Sequence, residues 1–307
     1  MPDNITVQES IDALPDPLEQ PEFLNGHNER PWSTRRLRVA ETLLSENIQL
    51  AGFQEALVRQ VNDLAQLFGD EWNWIGVGRD DGVEAGEFSP IFYRTSSFIL
   101  RSNSSFWLSN TPFEPSKFPG AGSFRICTVA QLTLTDAPGG EKNFTVLNTH
   151  LDDQSDDQRR LAASLLLTRA RFEAVTTGEP VFITGDFNSE SSGDTSGAYS
   201  IITGQTTPVA INQTFAQMFD VGDQAPGFKM LDLRAQTSRR VVSNNFATFT
   251  GFTAPDDTSD WSRIDFAFAD SISNKWQVDG VKVISSLSDD GTLASDHRPT
   301  FVDITLT

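Results

Sequence analysis

Four short apolar runs in this chain stop at, or start from, a tight cluster of acids, amides or histidines. Ala51-Gly52-Phe53 leads into Gln54-Glu55, and Phe144 to Leu147 leads into Asn148-Thr149-His150-Leu151-Asp152. Val181 to Thr184 leads into Gly185-Asp186-Phe187-Asn188, and Ser295-Asp296-His297-Arg298 precedes the apolar Phe301 to Leu306. Arg263-Ile264-Asp265-Phe266 sets a carboxylate inside one more apolar run. Short apolar runs bounded by polar residues read as buried strands. Their polar ends cannot sit in a core without partners, so strands that share a core must share a polar rim.

Between these runs the pattern alternates between helix and strand. Ser33 is suited to cap a helix carrying Leu37, Ala40 and Leu44 on one face. Leu57, Val61, Leu64 and Phe68 fall at helical spacing after the strand at Ile48 to Phe53. Trp74 to Val77, Pro90 to Tyr93 and Ser97 to Leu100 read as short strands. Val129 to Thr135 and Phe144 to Thr149 alternate around a Pro-Gly-Gly turn, as a hairpin does. Ser155 opens a helix to about Thr176, with Leu161, Leu165 and Phe172 inward. Val181 to Thr184 is apolar throughout, as in a strand covered on both faces. Later strands are expected at Arg263 to Phe268, Val281 to Ser285 and Phe301 to Leu306. No repeat and no internal linker appears, so one α/β domain over 23–307, with two packed sheets and outer helices, is the expected architecture. The first 22 residues, with six acids and prolines at 2, 15, 17 and 21, are expected to form a flexible acidic arm.

Composition narrows the function. With 23 Lys+Arg against 42 Asp+Glu the formal charge is −19, which argues against a general polyanion binder. The single cysteine, Cys127, excludes a disulfide framework and a multi-cysteine zinc site. No run reaches the ~18 apolar residues of a membrane span. The N-terminus has neither a basic start nor an apolar stretch to mark it for export, so a soluble protein, cytoplasmic by default, is expected, with secretion left open should the N-terminus be truncated. A monomer is expected too.

The shared rim would gather Glu55, Asp186, Asp265, Asp296, Asn188, His150 and His297. Massed acids raise one another's pKa, and a hard divalent cation held by oxygens relieves that. Each piece has a plainer meaning alone. Gln54-Glu55 resembles a helix start, and Gly-Asp-x-Asn resembles a turn. Of the three histidines, His27 lies in a polar stretch and reads as solvated. Asp265 is harder to dismiss, because a carboxylate in an apolar strand needs a partner.

Taken together and in this order, the clusters resemble the metal-dependent endonuclease/exonuclease/phosphatase superfamily. The marks are Gln54-Glu55, Asn148-Thr149-His150-Leu151, Gly185-Asp186-Phe187-Asn188, Ile264-Asp265-Phe266 and Ser295-Asp296-His297-Arg298-Pro299. Gly76 to Gly82, Gly86-Glu87 and Pro90 to Tyr93 are similar to a branch common in bacteria and fungi. The resemblance implies a four-layer α/β sandwich, with two packed mixed sheets flanked by helices and the site at their top. It implies that Glu55 binds Mg²⁺ (or Mn²⁺), with Asp296 as second ligand or water-mediated partner. Asp265 would orient His297, and either that pair or Asp186, helped by Asn188, would activate water. His150 would stabilise the transition state or protonate the leaving oxygen. Arg79, Arg125 and Asn148 are the implied substrate contacts, although either arginine is equally well read as a structural ion pair.

One feature departs from the family. Its members begin with a strand ending in Asn that helps hold the metal. Here the best candidate, Ile5 to Ile11, carries only Glu9 or Ser10 near that position. Either that strand is degenerate or the gene model is truncated. Gln49 also stands where relatives often carry Asp. Three functions follow: a phosphodiesterase acting on nucleic acid or a nucleotide, a hydrolase of a small phosphorylated molecule (an inositol phosphate, lipid headgroup or sugar phosphate), or a non-catalytic relative. Only five lysines occur, few for a basic groove that tracks a nucleic-acid backbone.

Overall fold

A computed structural model describes residues 3–14 and 28–307 of the chain. His27 and the second half of the acidic arm lie outside the described residues. The elements in order are α1 (Val7–Asp12), α2 (Trp32–Ser45), β1 (Leu50–Gly52), α3 (Val58–Phe68), β2 (Trp72–Ile75), β3 (Ile91–Arg94), β4 (Phe98–Trp107), β5 (Ile126–Leu134) and β6 (Lys142–His150). After these come α4 (Asp156–Thr177), β7 (Val181–Asp186), α5 (Gly197–Ile202), α6 (Gln213–Met218), β8 (Met230–Asp232), α7 (Leu233–Gln236), β9 (Asp265–Asp270), β10 (Trp276–Val283) and β11 (Thr300–Leu306).

Six strands form one sheet in the order β4-β5-β6-β7-β9-β8. Within it β6 and β7, joined through α4, run parallel, and every other neighbour is antiparallel. Facing it are the antiparallel trio β1-β3-β2 and the antiparallel pair β10-β11. Strand alternation assigns the layers. Ile91 and Tyr93 of β3 point inward onto Phe144, Val146 and Phe182 of the large sheet. Phe92, between them, points outward onto Val61, Leu64 and Phe68 of α3. On the far side of the large sheet, Val129, Leu147, Ile183 and Phe268 are covered by Leu161, Leu165 and Leu166 of α4. The result is the expected four-layer α/β sandwich.

The N-terminal segment departs from expectation. Within the supposed flexible arm, and where a strand was sought at Ile5 to Ile11, Val7–Asp12 is helical. Thr6-x-x-Glu9 forms a capping box, with Glu9 N donating to Thr6 Oγ1 at 3.2 Å and Thr6 N donating to Glu9 Oε2 at 2.7 Å. That reciprocal capping outweighs the apolar alternation. Arg36, fully buried, fastens the helix by donating to Ile5 O at 2.9 Å and Ser10 Oγ at 2.6 Å while pairing with Asp63 at 2.8 Å. Ser33 is correspondingly not the cap of α2 but a buried residue in its first turn, whose N–H is taken by Asp3 at 2.7 Å. Leu44 of the expected inner face is exposed, and Trp32, Val39 and Leu43 pack inward with Ala40 instead.

Among the described residues β1 pairs only with β3, and β11 only with β10. A cavity of about 1200 Å³ opens between them, bounded by Gln49 to Phe53 on one side and Thr300 to Leu306 on the other, and continues up to Glu55, Asp186, Asp265 and His297.

Candidate active site

Register brings the chemistry together. In the parallel pair His150 of β6 stands opposite Asp186 of β7, and in the antiparallel pair Asp186 stands opposite Asp265 of β9. Three adjacent strands therefore present His150, Asp186 and Asp265 side by side at one rim. The loop before β11 delivers His297 to the same place. Its Nδ1 lies 2.9 Å from Asp265 Oδ2 and its Nε2 lies 3.7 Å from Asp186 Oδ2. Across the rim, His150 Nε2 lies 3.5 Å from Asp186 Oδ2 and 3.9 Å from Glu55 Oε1. Asn188 brings its Nδ2 to 3.1 Å from His150 Nε2, and its backbone N–H donates to Asp186 Oδ1 at 2.8 Å.

Two of these residues sit in backbone that side chains rarely adopt. Glu55 has φ +60° and Asn188 has φ +43°. Asn tolerates this conformation through its short polar side chain. For Glu55 it costs of order 1–3 kcal/mol, held by the structure around it.

Burial and charge set the protonation states. His297 is pulled down by burial, but the Asp265 carboxylate and its hydrogen bond, with help from Asp186 and Asp296, outweigh that and raise its pKa to about 10. Asp186 is driven up, first by burial and then by the facing charge of Asp265. His150 is buried, and the positive charges of Arg125 and Arg79 add to the desolvation, so its pKa falls well below the ordinary histidine value. The imidazole is therefore held neutral. Its Nδ1 has no hydrogen-bond partner among the described residues. Glu55 is raised by desolvation and by repulsion from Glu87 and Asp296.

Asn148 does not face substrate. It is wholly buried, donating from Nδ2 to Phe53 O at 2.8 Å and Pro90 O at 3.0 Å and accepting at Oδ1 from Gln54 Nε2 at 2.8 Å and Thr184 Oγ1 at 3.1 Å. Every polar valence is used in stitching the large sheet to β1 and β3. Gly52 makes room for it, since a Cβ there would lie 2.4 Å from Asn148 Oδ1. Asn148→Ala should leave Phe53 O, Gln54 Nε2 and Thr184 Oγ1 without this partner, Pro90 O keeping only the Phe53 N–H at 3.1 Å, and cost about 2–4 kcal/mol of stability, read as a shifted denaturant midpoint. A cost near zero would mean that the bridge is dispensable.

Arg79 and Arg125 reach the wall of the site, and both are tied down. Arg79 bonds Glu87 through Nη1, and Arg125 bonds Asp152 at 3.3 Å and Asp153 at 2.7 Å. Each keeps one buried nitrogen without a hydrogen-bond partner among the described residues, Nε in Arg79 and Nη1 in Arg125. Sequence reasoning assigned no role to Thr248. Its hydroxyl accepts from Ile264 N at 3.1 Å and Asp265 N at 3.0 Å, while its carbonyl accepts from Arg298 N. It thus joins the strand of Asp265 to the loop of His297. Phe249 flanks the His297 ring at 5.0 Å. Neither lies in a periodic stretch, so no pattern marks them.

Asp186, Asp265 and His297 also form a group whose ligand atoms lie within 4.8 Å of one another. With His297 held protonated, that trio already has its cation. Glu55 and Asp296 are different: burial and then repulsion from Glu87 and Asp296 raise Glu55 more than His297 and Arg125 lower it. Hard oxygen donors under such repulsion fit a divalent cation.

Two facing sheets with acids and imidazoles gathered at their common rim define the sandwich class of phosphoester hydrolases. The model of the Endonuclease/Exonuclease/phosphatase family matches residues 24–297, and the chain belongs to that family. It is similar to the endonuclease/exonuclease/phosphatase from Bacteroides vulgatus, at 29% identity and a TM-score of 0.72 over 92% of this chain and 96% of that one. It is also similar to a mannosyl-6-phosphatase of Bacteroides thetaiotaomicron, at 26% identity and a TM-score of 0.70 over 91% and 97%. The human Nocturnin catalytic domain, crystallised with a sulfate anion, shares the fold at 14% identity and a TM-score of 0.60 over 90% and 88%. No curated protein matches the chain. Among the described residues no helix is long and apolar enough to cross a membrane.

Proposed function

We propose that the chain is a divalent-metal-dependent phosphoester hydrolase, and that its substrate is a small phosphorylated molecule, with sugar phosphates as the first class to test. The observation that carries the hydrolase reading is the row His150, Asp186, Asp265 and His297 across three neighbouring strand ends, facing Glu55. Charge supports a small substrate over a nucleic acid. At −19 overall, a polyanion would be repelled everywhere except at the site, whereas one phosphate needs only the local Arg79, Arg125 and His297. The likeness to a mannosyl-6-phosphatase points the same way. The phosphodiesterase reading, first in order from sequence, is the alternative that the experiment below separates.

Glu55 and Asp296 would hold Mg²⁺ or Mn²⁺. Bound there, the cation would neutralise the phosphoryl and leaving oxygens as charge develops on them. The residues do the rest. Asp186, with its pKa lifted toward neutrality, takes the proton of the attacking water, as suits a general base working near ambient pH. His297, kept as imidazolium by Asp265, pairs with a phosphoryl oxygen. Neutral His150, accepting at Nε2 from Asn188 Nδ2, packs beside Asp186 and fixes that wall of the site.

Hydrolysis of mannose 6-phosphate, p-nitrophenyl phosphate and bis-p-nitrophenyl phosphate, each with Mg²⁺, Mn²⁺ or EDTA, tests this. We expect monoester turnover at least ~100-fold above diester turnover, with EDTA abolishing both, since a lost cation forfeits several kcal/mol of transition-state stabilisation. Faster diester cleavage would move the substrate to the phosphodiester class. Undiminished turnover in EDTA would remove the metal from the reading.

A further inference from the structure

The Asp265–His297 pair is held at both of its backbones by one residue outside it. Asp265 opens β9, and on one side it is paired with Asp186 of β7. On the other side β8 reaches only Phe268, Ala269 and Asp270, so the start of β9 has no strand beside it there among the described residues. Thr248 takes that place with its side chain. Its Oγ1 accepts from Ile264 N at 3.1 Å and from Asp265 N at 3.0 Å. Two successive N–H groups converging on one oxygen depart from the alternation of a regular ladder, and an extended partner strand would meet only one of them. Thr248 is fully buried, so bulk water cannot take over these two donors.

The same residue reaches the other half of the pair. Its carbonyl accepts from Arg298 N at 2.6 Å. The residues after it bridge the two segments: Phe249 pairs with both Ser262 and His297, and Thr250 N and Gly251 N donate to Asp296 O at 2.9 and 3.1 Å. Those are main-chain contacts, open to any side chain at 248. The hydroxyl alone depends on the residue type. We propose that Thr248 is a positioning residue, whose hydroxyl sets where the Asp265 backbone stands and hence the 2.9 Å at which Asp265 meets His297 Nδ1. A methyl group in place of the oxygen would need about 3.5 Å or more from each nitrogen, which moves Asp265 by about half an ångström. It would also leave two buried donors unpaired. The consequence for turnover rests on the hydrolase reading above, whereas the hold on the pair does not.

The test compares Thr248→Val and Thr248→Ser in the full chain with Thr133→Val. That control removes a hydroxyl bonded to Asn143 at 2.6 Å, at the opposite end of the strands from His150. In Thr248→Val, kcat should fall about 10- to 100-fold with KM held within ~3-fold, as for misplaced chemistry rather than lost binding. Thr248→Ser, which keeps the oxygen, and Thr133→Val should both stay within ~3-fold of the parent. Thr248→Ala, with less bulk against the two nitrogens, replaces the valine variant should that one not fold. Proton NMR of the histidine-labelled, metal-free protein reads the pair without turnover. The His297 Nδ1–H, identified by its loss in His297→Ala, should give a sharp downfield resonance in the parent and in Thr248→Ser. In Thr248→Val it should shift or broaden away. An unchanged resonance in Thr248→Val, or none in the parent, would overturn the proposal. So would a loss of kcat shared equally by Thr248→Ser or Thr133→Val, which would make Thr248 a packing residue only. A parent that turns over no phosphoester would sink the hydrolase reading instead, and the NMR comparison would still decide whether Thr248 holds the pair.

Discussion

His297→Ala is expected to lower kcat for the best phosphoester by about 10³-fold, within the range for a group that moves or holds a proton or charge in the transition state. The residue is the charge that Asp265 and Asp186 share, at 2.9 and 3.7 Å. Removing it takes away the imidazolium that meets the phosphate and leaves two carboxylates facing each other, one of which must then bind a proton. Asp265→Asn should follow it closely, because His297 would lose the partner that raises its pKa to about 10. The double variant should then be little worse than either single one, as for residues that act as one unit. Stability gives a second reading. A histidine whose folded pKa lies above its unfolded value contributes fully below pH 6.5, and that contribution drains away up to about 10. Asp186, raised in the fold, shifts stability in the same sense. The metal-free protein should therefore melt at progressively lower temperature from about pH 6.5 to 10, and His297→Ala should flatten that slope. A kcat loss under ~10-fold would take His297 out of the reaction.

How much of this was visible in the sequence depends on what each residue's neighbours had to be. The rim was visible, because strand ends that carry His150, Asp186 and Asp265 can only converge once β6, β7 and β9 lie side by side, and the apolar runs demanded that. Asn148 was misjudged for a related reason. Alternation in Phe144 to Thr149 says that neighbours point to opposite faces, but not which face meets the second sheet. Asn148 proved to be the polar bridge to Phe53 and Pro90. Nothing in the sequence pattern marks Arg36 for burial, which depends on α1, whose capping box sits among acids and prolines that suggested no structure. The polar half of β4, Arg101 to Ser105, has no apolar alternation because it lies on an edge of the large sheet and, among the described residues, is paired only with β5. Thr248 acts through two backbone N–H groups and one carbonyl, contacts that leave no periodic trace.

Asp186→Asn separates chemistry from architecture more sharply than any other change. The amide keeps the carboxylate's shape, and its oxygen can still accept the Asn188 N–H now held at 2.8 Å. What disappears is a buried negative charge beside Asp265, the repulsion that, after burial, lifts Asp186. The variant should melt no lower than the parent, and higher above neutral pH, because buried like charges destabilise the fold that holds them. Turnover should nonetheless fall by about 10³–10⁴-fold, since an amide cannot take the proton of the attacking water. The parent's pH–rate profile should rise along a limb well above the ordinary carboxylate value of 3.8, set by Asp186, and fall near pH 10 as His297 deprotonates. In Asp186→Asn the rising limb should vanish from whatever activity remains. A stable variant that keeps kcat within ~10-fold, with the rising limb intact, would place the base elsewhere and leave Asp186 as no more than the acid that keeps His297 charged.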